Sequence, residues 1–387
     1  MNSPPVERIQ KVWDWSSICL VRNKWDTCHK VWDLTGSAKR NRLYRLLTLL
    51  MVMCSFGVGS SVASSESTLI ISNERSNTFT VLTGDGDFIK TIDTCGRPRG
   101  MHFSENKNSF YVGCADDDLI LEYALPSFEV VTRYTNIWAP ETFDLHPNGK
   151  DLYISNEEDS VASALDLQSG EIFQEYETGE EPEGVQFTSD GRYVFVASEV
   201  ADLVHVIDTQ KQEVVKDIIV DTRPRRFALT PDETELWVSA ELASVINVID
   251  MATFEVADTI IFDPPGFRKE QVTPVDILIN KSGDRAYVAL GRANHIAVVD
   301  TNTHQIMEYV LVGSRAWGLA LSQDEDRLYV ANGLSDDITI VDTKGAKAIR
   351  SVKTGAVPYG ILVVNEASTI CSFSCRLLVN QHICFLD

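Results

Sequence analysis

The sequence has 387 residues, of which 44% are hydrophobic and 23% charged, so it can hold one large all-β domain or two average domains. Its net charge of −22 is uneven, because residues 1–64 carry nine Lys/Arg and four Asp/Glu and leave −27 on the remainder. A body with that charge repels polyanions, which argues against binding to nucleic acid and against adsorption to an anionic membrane.

The first 64 residues divide into an extension and a hydrophobic segment. Residues 1–38 show no repeat, and we expect them to be unstructured or to result from a start site placed too far upstream. Residues 39–64 join the cationic KRNRLYR to the apolar LLTLLMVMCSFGVGSSVA, a combination typical of a secretory signal peptide. An uncleaved anchor is the alternative. We therefore expect a periplasmic or secreted protein that touches a membrane only if this segment is retained.

A repeat runs through the rest of the chain. Short strands centred on one apolar or aromatic residue occur seven times, at successive spacings of 41, 42, 42, 42, 50 and 42 residues. Their central residues are Ile70, Tyr111, Tyr153, Phe195, Trp237, Tyr287 and Tyr329. A period of about 40–45 residues with several strands per unit is typical of β-propeller blades.

Each unit predicts four strands. Thirteen residues after the central residue, five units end an apolar run in an aspartate, which we interpret as a turn residue that accepts backbone amide protons. These are Asp166, Asp208, Asp250, Asp300 and Asp342. A turn and a further apolar strand follow, with proline expected at its first position in six of the seven units.

The order of the units predicts how the ring closes. The first unit has no proline-led strand before it, whereas the last such strand, Pro358 to Val363, has no further unit after it. We predict an all-β, seven-bladed propeller of four-stranded blades over residues 65–365, closed by the C-terminal strand completing blade 1. Residues 366–387 lie beyond the repeat and are expected to be an aberrant tail.

The repeat units resemble a known family. LYVANGLSDDITIVDTKG and VFVASEVADLVHVIDTQ are similar to the YVTN-type β-propeller repeat, over residues 68–364. VDTRPRRFALTPDETELWVSAELASVINVID resembles more narrowly the secreted bacterial propellers associated with pyrroloquinoline-quinone-dependent alcohol catabolism. That resemblance implies a periplasmic protein working beside a quinoprotein dehydrogenase and a transport system. It implies neither bound quinone nor catalytic residues in this chain.

The residues beside each proline are predicted to ring one mouth of the central channel, because every innermost strand starts on the same face. The candidate binding residues there are Arg97, Arg99, Glu141, Glu183, Arg223, Arg225, Arg226, Arg315, Trp317 and Tyr359. Glu180 and Glu181 are further acidic residues of this face. Six arginines on an acidic body either bind an anionic ligand or pair with the neighbouring glutamates to hold the blades together.

An insertion and two cysteines belong to the same face. The 50-residue spacing marks an insertion within Phe262 to Glu270, where Phe267 and Arg268 are predicted either to cover the opening or contact a partner, or to be merely tolerated. Cys95 and Cys114 either form a disulfide or remain separate thiols.

Other chemistry finds little support in the sequence. The histidines of the repeats lie in different units without the spacing of metal ligands, and we expect neither a metal site nor a cofactor. The preferred function is a noncatalytic periplasmic propeller that binds a small anionic ligand, or components of a quinoprotein dehydrogenase or transporter. Two alternatives stay open: a lactonase-like hydrolase, and a surface adhesion or scaffold protein.

Overall fold

The computed structural model describes residues 67–365, which form 28 β-strands and one short 3₁₀ helix. The strands are assembled into seven four-stranded sheets. The predicted extension, signal segment and tail lie outside the described residues. The sheets are numbered as blades 1 to 7 in chain order, and the strands are numbered β1 to β28.

The second strand of each blade carries the central residue of the repeat. These strands are, in blades 1 to 7, β1 (Ser67–Asn73), β5 (Ser109–Cys114), β9 (Asp151–Asn156), β13 (Tyr193–Ser198), β17 (Glu235–Ala240), β21 (Arg285–Ala289) and β25 (Arg327–Asn332). The third strands are β2 (Thr78–Thr83), β6 (Leu119–Ala124), β10 (Val161–Asp166), β14 (Leu203–Asp208), β18 (Val245–Asp250), β22 (His295–Asp300) and β26 (Asp337–Asp342). Both sets are almost wholly buried, because blades pack against them on either side.

The outer strands face solvent with alternate residues. They are β3 (Phe88–Asp93), β7 (Val130–Thr135), β11 (Ile172–Glu177), β15 (Glu213–Ile219), β19 (Glu255–Ile261), β23 (Gln305–Leu311) and β27 (Lys347–Lys353). The innermost strands line the channel. They are, from blade 1 to blade 7, β28 (Pro358–Asn365), β4 (Pro98–Phe103), β8 (Pro140–Leu145), β12 (Pro182–Phe187), β16 (Pro224–Leu229), β20 (Ile277–Ile279) and β24 (Ala316–Leu321).

The ring closes as the sequence predicts. Strand β28 pairs antiparallel with β1, with Asn365 opposite Ser67 and Leu362 opposite Ile70, so the C-terminal strand completes blade 1. The sheet order of blade 1 is therefore β28, β1, β2, β3. All seven blades thus share one four-stranded plan, and the predicted all-β, seven-bladed architecture is confirmed.

Proline is the first residue of the innermost strand in five blades, as predicted, but not in blade 6. Pro98, Pro140, Pro182, Pro224 and Pro358 are the first residues of their innermost strands, where a missing amide donor costs no ladder hydrogen bond. In blade 6 the strand β20 starts only at Ile277, so Pro274 lies before the strand and that part of the prediction is wrong. The insertion precedes this shortened strand, and its 3₁₀ helix covers Lys269–Gln271.

The predicted turn aspartates hold the hairpins between third and outer strands. The Oδ1 atom of Asp250, for example, accepts the amides of Ala252 and Thr253 at 3.0 and 2.9 Å. Asp208 and Asp300 accept two amides in the same way. These carboxylates therefore have the structural role that the sequence indicates. Within residues 67–365, no helix has the length and hydropathy needed to cross a membrane.

Candidate functional site

The innermost strands bring seven equivalent residues to one end of the channel. Each is the residue that follows the proline, or Ala316 in blade 7, and we call the set the mouth ring. From blade 2 round to blade 1, its members are Arg99, Glu141, Glu183, Arg225, Val275, Trp317 and Tyr359. Four consecutive members are charged, whereas Val275, Trp317 and Tyr359 form a buried apolar cluster.

Contacts between neighbouring blades fix the backbone of the mouth ring. The hydroxyl of Ser155 in blade 3 donates to the carbonyl of Glu183 in blade 4 at 2.7 Å. Ser239 makes the equivalent bond to the carbonyl of Val275 at 2.6 Å. A Cβ on Gly184 would clash with the carbonyl oxygen of Arg225, so only glycine lets these two strands approach so closely. The ring members are therefore held in place by their main chains.

A bulge explains why two adjacent arginines reach the same carboxylate. The pairing of β16 with β17 shifts register between Pro224 and Phe227, and such a shift re-aims the intervening side chains. Arg225 Nη2 and Arg226 Nη2 consequently lie 3.0 and 3.1 Å from Oε1 of Glu183. Equivalent register shifts occur in blades 2, 3, 4 and 7.

Arg225 is the centre of a buried network of ion pairs. Besides Glu183, its Nη1 atom lies 2.5 Å from Glu199 and 3.0 Å from Glu241. The side chains of Arg225 and of all three glutamates are at most 6% exposed. Arg223 covers the same carboxylates from outside, at 2.6 Å from Glu199 and 3.1 Å from Glu241.

The charged network continues across the channel to Tyr359. The hydroxyl of Tyr359 donates to Glu141 at 3.1 Å, and it accepts a hydrogen bond from Arg226. Glu141 is also paired with Arg99, whose guanidinium lies over the Tyr359 ring at 5.1 Å from its centroid. The side chains of the mouth ring therefore close the channel at this end.

Four glutamates of this network were missed by the sequence prediction. They follow the second strand of the blade, and we call the equivalent residues the rim positions. In blades 1 to 7 these are Glu74, Ala115, Glu157, Glu199, Glu241, Gly291 and Gly333. The repeat itself carries the signal, since aligning the units places glutamate at this position in blades 1, 3, 4 and 5.

Backbone hydrogen bonds bring the rim positions to the mouth. The amide of Glu241 donates to the carbonyl of Arg223 at 2.8 Å, and the amide of Gly333 donates to that of Arg315 at 2.9 Å. The accepting residue precedes the proline position, and it adopts a positive φ in six blades, for example 66° at Arg223. Because this geometry recurs around the ring, we attribute it to the repeat and not to strain at one site.

The mouth is electrostatically uneven. Arg97, Arg99, Arg223, Arg225 and Arg226 are all paired with glutamates. In blades 6 and 7 the rim positions are glycines. Arg315 there has no ion-pair partner among residues 67–365, and its guanidinium lies over the Trp317 ring at 4.6 Å from the centroid. The exposed Arg292 follows directly after Gly291. This sector therefore offers two cationic groups that form no ion pair with a carboxylate of residues 67–365.

Burial and the neighbouring charges shift the pKa values of the network. Burial alone raises the pKa of Glu183, but Arg225, Arg226 and Arg99 outweigh it and lower the pKa of that carboxyl. Burial, together with the charge of Glu183, raises the pKa of Glu199 to about 8, against the opposing effect of Arg225. Burial likewise raises the pKa of Tyr359. Glu183 is therefore ionised at neutral pH, whereas the pKa of Glu199 lies much closer to neutral pH.

The remaining predicted residues lie around this network. Glu181 Oε2 is 4.0 Å from Arg223, and Glu180 is exposed. In the insertion, Phe267 packs edge-on against His295, at a centroid distance of 5.4 Å, and against the buried residues shared by blades 5 and 6. Arg268 is exposed. Cys95 and Cys114 form a disulfide at this face.

One histidine forms a hydrogen-bonded chain that resembles a hydrolase triad. His205 Nε2 lies 2.9 Å from Ser198 Oγ, and His205 Nδ1 lies 2.6 Å from Asp217 Oδ1. Ser198 is fully buried, however, and His205 Nε2 also accepts the amide of Gly179 at 3.1 Å.

The repeat assigns this chain a structural role. In blade 1 the equivalent of His205 is Thr80, which accepts the amide of Gly355 at 3.1 Å and a hydrogen bond from Asn73 at 2.9 Å. In blade 7 Thr339 accepts the amide of Gly313 at 3.2 Å. Ser198 and His205 therefore hold a loop between blades. Over the described part of the chain, no group of three or more His, Cys, Asp or Glu side chains is arranged to hold a metal ion.

Comparisons with known proteins agree with the fold. The model of the choice-of-anchor I domain matches residues 160–333. Kuenenia stuttgartiensis hydrazine synthase is 16% identical, with a TM-score of 0.63 over 70% of this chain and 96% of that chain. A putative 6-phosphogluconolactonase from Bacteroides fragilis is 15% identical, with a TM-score of 0.66 over 79% and 99%, and the one from Bacteroides uniformis is 14% identical, with 0.66 over 78% and 100%.

Curated protein sequences give no match to this chain. At such low identities the solved structures establish the architecture and nothing about activity. The chain is thus a seven-bladed β-propeller in which residues 160–333 are similar to the choice-of-anchor I domain.

Proposed function

We propose that the protein is a noncatalytic periplasmic β-propeller that binds an anionic group of a partner through the mouth face of blades 6 and 7. In this proposal it is accessory to quinoprotein-dependent alcohol catabolism and the associated transport. The periplasmic location and the quinoprotein association rest on the signal-like segment and on the resemblance of the repeat units. The binding mode rests on the geometry of the mouth.

One observation carries the binding mode. Five of the six mouth arginines are paired with glutamates, whereas Arg315 lies beside two glycine rim positions and Arg292 is exposed next to one of them. Guanidinium groups without a carboxylate partner are well suited to bind carboxylates and phosphates. Trp317 beneath Arg315 positions that guanidinium through a cation–π contact.

The noncatalytic assignment is supported by the state of the ring carboxylates. Glu141 and Glu183 are 0% and 2% exposed and are engaged with arginines and Tyr359. A general base must reach the proton it abstracts, and neither of these carboxylates faces open solvent. The lactonase-like alternative is kept because two putative lactonases share the fold.

The test measures binding of the full-length protein to purified components of a quinoprotein alcohol dehydrogenase. We expect Arg292→Ala with Arg315→Ala to weaken binding by at least about tenfold, because each charge-assisted contact contributes about 1.5–3 kcal/mol. Arg75→Ala is the matched control, since Arg75 is exposed and occupies the position in blade 1 equivalent to Arg292.

Two results would overturn the proposal. Unchanged binding in the double variant would exclude the blade 6 and 7 sector as the binding site. Turnover of sugar lactones by the wild-type protein, and its loss in a mouth variant, would establish the hydrolase alternative instead.

A further inference from the structure

A chamber lies inside the channel, next to the mouth ring. It has a volume of about 260 Å³. Its wall is formed by the innermost strands of all seven blades, and Arg226, Trp317 and Tyr359 border it at the mouth end. One water needs about 10–15 Å³ of such space, so the chamber is large enough for a small organic molecule. Its lining extends away from the mouth ring to Gln186 and Leu278.

In each blade, the residue that follows the mouth-ring member lines the chamber, and these seven residues determine its charge and free space. In blades 2, 4, 7 and 1 this position is glycine, and Gly100, Gly184, Gly318 and Gly360 all line the chamber. In blades 5 and 6 the same position is Arg226 and Asp276. The other blades show that the fold does not need a charge there. Two adjacent blades therefore place an arginine and an aspartate on one wall, opposite glycines that leave room.

Each of these two side chains has hydrogen-bonding capacity that the seven blades do not use. Arg226 uses Nη2 for Glu183 and Tyr359, and no hydrogen bond or ion pair within residues 67–365 engages its Nε or Nη1. Asp276 accepts the amides of Ile277 and Leu319 at 3.0 and 2.8 Å. Each Asp276 oxygen thus keeps a lone pair for a further donor. The two groups do not form an ion pair with each other.

Trp317 borders the chamber without offering its indole donor to it. Its Nε1 is buried, exposes almost no surface and has no hydrogen-bond partner among the described residues. A ligand in the chamber therefore meets Arg226 and Asp276 as its polar contacts on this wall.

We infer that the chamber binds a small hydroxycarboxylate. The ligand carboxylate accepts hydrogen bonds from Arg226, and the ligand hydroxyl donates to Asp276. An arginine and an aspartate together favour a ligand that combines an anionic group with a neutral donor, over a bare anion or a neutral alcohol. This site differs from the Arg292 and Arg315 sector and does not depend on a partner binding there.

The experiment is calorimetric titration of the full-length protein with sodium glycolate and sodium glycerate, with acetate and ethylene glycol as single-function probes. We expect saturable binding of the hydroxycarboxylates with a dissociation constant at or below about 1 mM. Acetate and ethylene glycol should bind at least about tenfold more weakly, since each lacks one of the two contacts.

Variants assign the binding to the chamber. Arg226→Gln and Asp276→Ala should each weaken glycolate binding by about tenfold or more. Arg350→Gln on outer strand β27 and Asp93→Ala on outer strand β3 are matched controls that should leave it unchanged. Asp276→Ala removes the proposed acceptor of the ligand hydroxyl, so it remains informative if Arg226→Gln fails to fold. Absence of saturable heat with both hydroxycarboxylates, or equal binding in Asp276→Ala, would overturn the inference.

Discussion

Arg225 of blade 5 donates a hydrogen bond to Glu183 of blade 4 at 3.0 Å, with both residues at least 95% buried. Glu183 also neutralises Arg226 and lies 3.5 Å from the Tyr359 hydroxyl of blade 1. One carboxylate thus links residues of three blades across the channel. The stability of the ring at this end depends on its charge.

Removing Glu183 should therefore destabilise the propeller strongly. Glu183→Ala leaves two arginines buried with less compensation, and we expect the free energy of unfolding to fall by about 3–5 kcal/mol in urea. Arg97→Ala is the control, because its pairs with Glu74 and Glu157 are 3.6 and 3.5 Å long and partly exposed. That change should cost at most about 1 kcal/mol. Equal losses in both variants would contradict the network described for Arg225.

The raised pKa of Glu199 predicts a pH dependence of stability. The pKa is about 8 in the folded protein, compared with 4.5 for a free side chain, so the folded state binds the extra proton between these values. Stability should fall as pH rises through this window, because the unfolded chain releases the proton first. Glu199→Gln removes the titration and should gain stability relative to the wild type between about pH 5 and pH 9.

Thermal unfolding across that range measures the effect. The same substitution at Glu157, the partly exposed rim position of blade 3, is the control. If the wild type and Glu199→Gln kept a constant difference in melting temperature at every pH, Glu199 would not carry the proton.

The repeat made most of this architecture predictable. The spacing of the central residues, the turn aspartates and the unmatched strand at Pro358 give the blades and their closure, because a closed ring must pair its ends. Blade 6 differed because its insertion delays the innermost strand to Ile277, and a single sequence does not show where pairing resumes. The mouth residues were predicted by position.

Their pairing was less predictable than their position. The sequence places arginines and glutamates at one face, but which carboxylate each guanidinium meets depends on the bulge that turns Arg225 and Arg226 to the same side. The rim glutamates were missed because they lie outside the proline-led turns on which the prediction of the mouth residues rested. The chamber depends on Arg226 and Asp276, and the polar atoms that they leave unpaired are not visible without side-chain geometry.

His304 predicts a second pH dependence of stability. Here hydrogen bonds to carboxylates raise the pKa against the effect of burial, whereas burial itself raises the pKa of Glu199. Burial alone lowers the pKa of His304, but hydrogen bonds to Asp258 at 2.6 Å and Glu235 at 3.2 Å outweigh this and raise it above 6.5. The stabilisation by His304 should be complete below pH 6.5 and be lost as pH rises through the folded-state pKa.

The measurement compares His304→Asn with the wild type in urea at several pH values. The variant should be less stable at about pH 6, and the difference should shrink towards about pH 9. A deficit that grows with pH would show that neutral His304, and not the imidazolium, makes the stabilising contacts.

The disulfide between Cys95 and Cys114 should stabilise blade 2. It closes a loop with a sequence separation of 19 residues, for which the restriction of the unfolded chain contributes roughly 3 kcal/mol. Cys95→Ala with Cys114→Ala should lower the midpoint of denaturant unfolding accordingly. A double variant as stable as the wild type would show that the bond contributes nothing to folding.

The pairing of β28 with β1 has a consequence for synthesis. Blade 1 receives its channel-lining strand from residues 358–365, about 290 residues after its second strand has left the ribosome. Until then β1 presents an unpaired edge, and Leu69 and Ile71 lack the blade 7 residues against which they pack. A nascent chain must therefore keep this edge shielded throughout translation, so we expect dependence on a chaperone to be greatest just before the last blade emerges.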